Sequence, residues 1–410
     1  MRERSFRPVS RLIAPPRGSV NSLFDARLSP AFRCDKPNAN ENVSIRAEIR
    51  RSMVMKKNFR PACLSALIGS LPLSDHEEAA DWVLDHTPEI PLWVQLPVHP
   101  QEGMVPQFVP GMPGLTGSGD RIFVDTGSPG FDDELVAFYE DYLDVTEGGK
   151  PLDDSRFALS RDMAPGFHIF LERLAGKPTG LRAVKGQVTG PFTLATSLTD
   201  QDGRAVFYDE RLLDAVVKLV AMKARWQAEK LSAFGVPAMV FLDEPGLAGF
   251  GSSTFLGISK EAAAGCLSEA MEAIQAAGAL AGVHICANAD WSLALESPAN
   301  VVSFDAYSFF DRFILYGDLI RRFISNGNIL AWGIIPTSDL DKIRAETAGS
   351  LESLFWEHIE KVVNLGIPKE QVLAQSLITP ACGTGSLSPE LAKKVLALTR
   401  DLSARVRNRT

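Results

Sequence analysis

From about residue 59 onward, short apolar runs alternate with longer segments in which apolar residues recur at helical spacing. Continuous apolar runs of about four to eight residues indicate strands that are buried on both faces, as in parallel sheets. The amphipathic segments between them indicate helices that cover such a sheet. We interpret eight runs as strands: 62–68, 91–96, 181–188, 238–242, 280–286, 300–304, 329–335 and 371–377.

Eight strands, each followed by at least one predicted helix, indicate an α/β fold of the (β/α)8, or TIM-barrel, type. The alternative is an open doubly wound sheet. The phosphate-binding loop of a dinucleotide-binding sheet is missing, because no G-x-G-x-x-G follows a predicted strand. The Pro- and Gly-rich segment 97–130 is predicted to lack regular structure and to form a long loop that shapes or covers a site.

Residues 1–54 differ from the rest of the chain in charge and pattern. They hold 11 Lys and Arg against 5 Asp and Glu, and they show no sustained hydrophobic period. Such a segment lacks the apolar surface needed to fold, and it lacks the apolar stretch of a secretory signal. We predict a disordered leader over 1–54, or a native start at Met53 or Met55, followed by one barrel domain over 55–410. An Arg-rich organellar presequence is the alternative.

The overall composition excludes several classes of partner. The chain has 410 residues, 45% of them hydrophobic and 22% charged, and a net charge of −8. A negative charge argues against nucleic acid and anionic membranes as partners, and no apolar run is long enough to span a bilayer. Five cysteines without a short-range framework are typical of a reducing compartment. We therefore predict a cytoplasmic protein that binds a small molecule.

Candidate chemistry begins with His284 and Cys286, which lie two residues apart at the end of a predicted strand. Side chains two apart on a strand share a face, so an imidazole and a thiol are presented together. Taken alone, such a pair is more often buried core than a metal site. Active sites of barrels lie at the carboxyl ends of the strands, where Asp305 and Cys382 are also predicted. The four residues together suit tetrahedral zinc.

Six motifs at the predicted strand ends carry a resemblance to a known family. They are Ile68-Gly69-Ser70, VKGQVTGPFT at 184–193, LDEP at 242–245, His284-x-Cys286, Phe304-Asp305 and PACG at 380–383. In this order they resemble the catalytic barrel of cobalamin-independent methionine synthase and of the uroporphyrinogen-decarboxylase-like, corrinoid-using methyltransferases. The resemblance extends from about residue 59 to about residue 405.

The resemblance implies a zinc ion held by His284, Cys286, Asp305 and Cys382. It also implies that Ile68, Gly69, Ser70 and Asp243 contact a thiol substrate. We predict Asp243 as a catalytic residue as well, and we add its neighbour Glu244 as a candidate substrate contact. The implied activity is zinc-dependent transfer of a methyl group to homocysteine or a related thiol.

Departures from the family affect the expected methyl donor. Ser197 stands where the family has a folate-stacking Trp, and Gly249 stands where it has a folate-binding Glu. A methylcorrinoid, carried by a partner protein, is therefore predicted as donor in preference to methyl-folate. The alternatives are a decarboxylase of the same superfamily that acts on a tetrapyrrole, and a barrel that binds a corrinoid or thiol without turnover.

Overall fold

The computed structural model describes residues 59–118, 121–176, 179–252 and 255–409. The predicted leader over 1–54 lies outside the described residues. In chain order the described strands are β1 Leu64–Ser65, β2 Leu115–Ser118, β3 Arg121–Val124, β4 Val184–Thr189, β5 Thr199–Asp200, β6 Ala238–Asp243, β7 Leu280–Ile285, β8 Val301–Phe304, β9 Ile329–Ile335 and β10 Ser376–Pro380.

Seven of these strands form one parallel sheet, in the order β1-β10-β9-β8-β7-β6-β4. Consecutive strands are neighbours from β6 to β10, as expected when each strand returns through a helix on the outside of the sheet. This α/β architecture is consistent with a TIM-like barrel. The other three strands, β2, β3 and β5, form a small separate sheet.

Helices connect the strands of the main sheet and cover its outer face. They are α1 His76–His86, α2 Phe131–Thr146, α3 Pro165–Ala175, α4 Pro191–Ser197, α5 Glu210–Ser232, α6 Lys260–Ala276, α7 Ser292–Leu295, α8 Ala306–Phe313, α9 Gly317–Ser325, α10 Leu340–Ala345, α11 Ala348–Val363, α12 Lys369–Ala374 and α13 Pro389–Arg407. The side chains of Asp75, Ser259 and Ser388 each cap the helix that follows by accepting a backbone hydrogen bond.

The predicted second strand, 91–96, does not form a regular strand. It makes two isolated parallel bridges, between Gln95 and Ser70 just beyond β1 and between Leu92 and Lys185 of β4. One bridge reaches the edge strand β4, and the other reaches the segment that follows the edge strand β1. The hydrogen bonds of the described residues therefore define a seven-stranded sheet and not an eight-stranded one. The segment 91–96 nevertheless bridges to residues at both edges of that sheet.

Two other expectations about secondary structure are wrong. The last strand was expected at 371–377 but is Ser376–Pro380, because the helix-favouring residues after Pro368 form α12. The segment 97–130 contains regular structure after all, the β2–β3 hairpin and a short 3-10 helix at Pro100–Glu102. The hairpin requires Gly117, whose φ is 92°, since a Cβ there would lie 1.8 Å from the Arg121 carbonyl oxygen.

The inner face of the main sheet changes character along the strands. Toward the amino ends, an apolar cluster fills the interior: Phe59, Leu64, Ala66, Ile90, Ala183, Met239, Phe241, Leu280, Val301, Ile329, Ala331 and Leu377. Residues further along the same strand faces are polar, including Lys185 after Ala183 and Asp243 after Phe241. The polar carboxyl ends are thus held on an apolar base. Within the described residues, no helix combines the length and apolar character needed to cross a membrane.

Candidate metal and thiol site

Three of the four predicted metal ligands come together at the carboxyl ends of the strands. His284 lies near the end of β7, Cys286 follows that strand, and Cys382 follows β10. One ligand atom from each residue lies within 4.8 Å of the others. Residues almost a hundred positions apart therefore meet because β7 and β10 end at the same rim of one parallel sheet.

The imidazole of His284 is held in one orientation and keeps one nitrogen free. It is only 3% exposed, and its Nδ1 lies 2.9 Å from the hydroxyl oxygen of Ser303 on the neighbouring strand β8. Its Nε2 is buried and has no hydrogen-bond partner among the described residues. A buried polar atom without a partner is costly, and a metal ion is one of the groups that satisfies it.

The two thiols of the cluster interact by a hydrogen bond and do not form a disulfide. Cys286 and Cys382 are both free cysteines and both half-buried. The hydrogen bond from the Cys382 thiol lowers the pKa of Cys286, and the nearby His284 acts in the same direction. The same bond raises the pKa of Cys382. Cys286 is thus the thiol that loses its proton first, and as a thiolate it is the better metal ligand.

The fourth predicted ligand, Asp305, is not part of this cluster. Its carboxylate accepts a hydrogen bond from the backbone N–H of Ser308, 2.8 Å away, and caps the N-terminus of α8. The residue is 4% exposed, and burial raises the pKa of Asp305. The negative charge of Cys286 and the positive charge of His284 both act on it. Asp305 is therefore near the cluster but has a structural role of its own.

Asp243 lies next to the cluster and is only partly satisfied. It ends β6 and is paired in register with His284. Its Oδ1 is buried without a hydrogen-bond partner among the described residues, and burial raises the pKa of Asp243 to about 6. The charges of His284 and of Lys185 act against this rise. Asp243 therefore places a buried carboxylate oxygen with unused acceptor capacity beside the candidate metal ligands.

Lys185 places a second titratable group on the inner face, and the sequence prediction missed it. Its ammonium is buried, donates to the Ile68 carbonyl oxygen at 2.5 Å, and lies 4.6 Å from the centre of the Phe241 ring. Burial lowers the pKa of Lys185 to about 8, while the charge of Asp243 opposes that change. The sequence carried a signal, since a lysine inside a buried apolar strand is rare unless it is paired.

Glu244, predicted as a substrate contact, is fully engaged elsewhere. One carboxylate oxygen accepts from the backbone N–H of Phe192 at 3.0 Å, and the other accepts from the N–H and hydroxyl of Thr193. Both donor residues are in the first turn of α4, so Glu244 fixes the start of that helix. Burial raises the pKa of Glu244 to about 7. Gly190 is required beside it, because a Cβ there would lie 2.2 Å from the carboxylate.

Ile68, Gly69 and Ser70, predicted as substrate contacts, line a small cavity together with Cys382. Their neighbours in its wall are mainly apolar, such as Leu92 and Leu396. The Ser70 carbonyl accepts from the backbone N–H of Thr384 at 2.9 Å, which joins the loop after β1 to the loop after β10. The main-chain polar groups of the loop after β1 are therefore largely engaged in hydrogen bonds to neighbouring segments.

A second cluster, which the sequence prediction did not identify, consists of His76, His99 and Glu102. One ligand atom from each of these residues lies within 4.8 Å of the others. His99 and Glu102 belong to the segment 97–130, which was expected to have no defined structure. No spacing in the sequence links that segment to His76, so the cluster depends on the loop conformation. Ser303, which orients His284, was also missed.

Comparisons with known proteins give little beyond this geometry. No protein-family model matches the sequence, and no curated protein matches it. Among solved structures, a methyltransferase from Methanosarcina mazei superposes with a TM-score of 0.49 and 13% sequence identity. The alignment covers 88% of this chain and 98% of that one. At this level the comparison carries no argument about activity, and the chemistry of the chain rests on its own residues.

Proposed function

We propose that the protein is a zinc-dependent methyltransferase that transfers a methyl group to a thiol such as homocysteine. The observation that supports this function best is the meeting of His284, Cys286 and Cys382 within 4.8 Å at the carboxyl end of a parallel sheet. An imidazole with two thiolates is a donor set that zinc prefers. We also propose that the segment 91–96 completes a (β/α)8 barrel around this site.

The residues present fit a zinc ion on two grounds. His284 Nε2 is buried and without a partner among the described residues, while Nδ1 is held by Ser303. This is the arrangement of a metal-ligating histidine, whose second nitrogen is fixed by a neighbouring group. Two thiolates also balance the charge of a divalent cation. When bound, zinc lowers the pKa of a coordinated substrate thiol and keeps it as the thiolate nucleophile.

The other residues of the site bind and orient the substrate. The free Oδ1 of Asp243 suits a cationic group, such as the ammonium of an amino-acid thiol, because an ionised carboxylate only accepts hydrogen bonds. Lys185 keeps its ammonium against the Ile68 carbonyl and stabilises the charge of Asp243. The apolar wall beside Ile68 and Leu92 excludes water from the reacting sulfur.

The donor that we propose is a methylcorrinoid carried by a partner protein. The substrate thiolate attacks the methyl carbon, the sulfur–carbon bond forms and the cobalt–carbon bond breaks. The electron pair of the broken bond stays on cobalt, so the corrinoid leaves in its Co(I) form and no other reductant is needed. Ser197 and Gly249 provide no aromatic or acidic contact for a pterin, which is the reason for preferring this donor.

The test is an assay of methylcobalamin demethylation with the zinc-loaded protein. A panel of thiols that includes homocysteine, coenzyme M and simple alkyl thiols is supplied, and the corrinoid spectrum is followed. We expect thiol-dependent loss of methylcobalamin with at least one of them, and methylated thiol in equal amount by mass spectrometry. Chelator-treated protein and the Cys382→Ser variant are the controls and are expected to be inactive.

Two results would overturn the proposal. Zinc bound at the cluster without methyl transfer to any thiol would indicate a barrel that binds without turnover. Fully folded protein that takes up no zinc would remove the chemical basis for thiol activation altogether.

A further inference from the structure

The cluster of His76, His99 and Glu102 is separate from the site that the proposed methyl transfer uses. His76 is the first residue of α1, whereas Glu102 ends the 3-10 helix Pro100–Glu102 and His99 precedes it. The three ligand atoms lie within 4.8 Å of one another. Ligand atoms around a zinc ion are separated by roughly 3.3 Å, given bonds of about 2.0–2.2 Å. Small side-chain movements are therefore sufficient to close this cluster on an ion.

Glu102 is a buried carboxylate with unused acceptor capacity. Its side chain has no exposed surface. One oxygen lies 2.7 Å from Nε2 of His76, and the other accepts from the backbone N–H of Leu96 at 2.9 Å. An ionised carboxylate has roughly four acceptor positions, so two contacts leave room for a cation. Burial of such a group is expensive unless a positive charge compensates it.

His99 is oriented in the way that metal-ligating histidines usually are. Its Nε2 lies 3.0 Å from the carbonyl oxygen of Ser74. Because a carbonyl only accepts, Nε2 carries the hydrogen, and in the neutral ring Nδ1 keeps a free lone pair. A backbone carbonyl that fixes the second ring nitrogen is a common outer-shell partner of a metal ligand.

The contact between His76 and Glu102 marks the place where an ion would bind. Nε2 of His76 donates to the Glu102 carboxylate, so a divalent ion would replace the proton between these two atoms. The rings of His76 and His99 are stacked, with centroids 5.4 Å apart and planes 14° apart. Since the lone pairs of parallel rings lie in parallel planes, one ring has to turn before both can ligate the same ion.

We propose that His76, His99 and Glu102 form a second metal site, which takes Zn²⁺ through two imidazoles and one carboxylate. Two His and one Glu are a known zinc ligand set that leaves one position for water, and both imidazoles here are half-buried, so solvent reaches them. The ion would fix the turn at 99–102 against the start of α1. Through the bond from Leu96 it would also stabilise the end of the segment 91–96.

The second site is tested in the full chain after both thiols of the first site, Cys286 and Cys382, have been replaced by serine. In the Cys286→Ser/Cys382→Ser background, calorimetric titration with ZnCl2 is expected to show one equivalent of zinc per chain. His99→Ala in that background is expected to abolish it. His86→Ala is the matched control, since His86 lies on the same helix and its ring hydrogen-bonds to the Trp82 carbonyl oxygen; it is expected to bind zinc normally.

Absence of zinc binding in the double-serine background would overturn this second site, as would equal binding with and without His99. If the double-serine chain does not fold, Co²⁺ titration of the wild-type chain gives the answer. A site made only of nitrogen and oxygen adds visible d–d bands without thiolate charge transfer, and these bands must disappear in His99→Ala. The thiolate bands report on the first site alone, so failure of either proposal is recognised independently.

Discussion

The inner face of the main sheet is apolar toward the amino ends of the strands and polar toward their carboxyl ends. The amino-end half is an apolar cluster around Met239 and Phe241. The carboxyl-end half contains Asp243, His284 and Lys185, and Asp243 Oδ1 and His284 Nε2 are buried without a hydrogen-bond partner among the described residues. Apolar packing contributes stability in proportion to the area that is buried. Buried polar groups cost stability unless they are satisfied, so the amino-end half contributes stability that offsets the cost of the polar carboxyl-end half.

The largest effect is expected from Cys286→Ser at the carboxyl end. It removes one of three proposed zinc ligands, so the zinc equivalent at this site and methyl transfer should both be lost. Because Cys286 is half-buried and outside the apolar cluster, the melting temperature of the metal-free protein should change little. Metal analysis and thermal unfolding of chelator-treated samples measure the two effects. Unchanged zinc content would disprove the role of this thiol.

Phe241→Ala tests the amino-end half. The side chain is 2% exposed, and removing a buried Phe usually costs about 3–5 kcal/mol of stability. The free energy of unfolding in urea should fall by that amount, while zinc content at the His284 cluster stays the same. Phe241→Leu is the milder control, with an expected cost of less than about 1.5 kcal/mol. Loss of zinc in parallel with stability would mean that the two halves are not separable.

Lys185→Met should change how stability depends on pH. The folded pKa of Lys185 is about 8, against about 10.4 in the unfolded chain. Between these values the unfolded chain binds a proton that the folded chain does not, so wild-type stability rises with pH across this window. The difference amounts to about 3 kcal/mol. Urea unfolding from pH 7 to 11 should show a smaller rise for Lys185→Met; identical curves would contradict the burial argument.

Ser303→Ala should weaken zinc binding without abolishing it. The hydroxyl holds Nδ1 of His284 at 2.9 Å and thus its ring orientation. Loss of such an outer partner typically lowers metal affinity about 10–100-fold. Competition with a chromophoric chelator measures the change. Ser308→Ala, whose side chain hydrogen-bonds to Asp305, serves as the comparison and should bind zinc like the wild type.

The smallest effect is expected from Asp305→Asn. Asn caps a helix about as well as Asp, so stability should stay within about 0.5 kcal/mol. The carboxylate lies outside the group of ligand atoms within 4.8 Å, so zinc affinity should fall less than tenfold. If zinc is lost, Asp305 moves into the site on metal binding and the ligand set inferred from sequence is the correct one.

The sequence predicted which segments form strands better than it predicted the residues at which each strand begins and ends. Long apolar runs such as 329–335 matched their strands, because burial on both faces leaves one pattern. The run 371–377 was ambiguous, since a short apolar stretch suits a buried helix as well as a strand. The β2–β3 hairpin was missed because its glycines and prolines were taken as evidence for an irregular loop.

The site was predictable where topology alone brings residues together. His284, Cys286 and Cys382 meet because parallel strands end at one rim. Asp305 was included in the ligand set because it follows a predicted strand end, although an Asp followed by a first helical turn is also a common N-cap pattern. The pairing of His76 with Glu102 depends on the path of a loop, for which the sequence holds no periodic signal.

The pairing of β1 with β10 has a consequence for synthesis of the chain. Cys63, just before β1, donates to the carbonyl of Leu373, which is 310 positions later. At about 5–20 residues per second, ribosomal synthesis leaves β1 without its partner for roughly 15–60 s. During that time its apolar run is exposed to other nascent chains. Chaperones that shield β1 should therefore increase the yield in a recombinant host more than slower translation does.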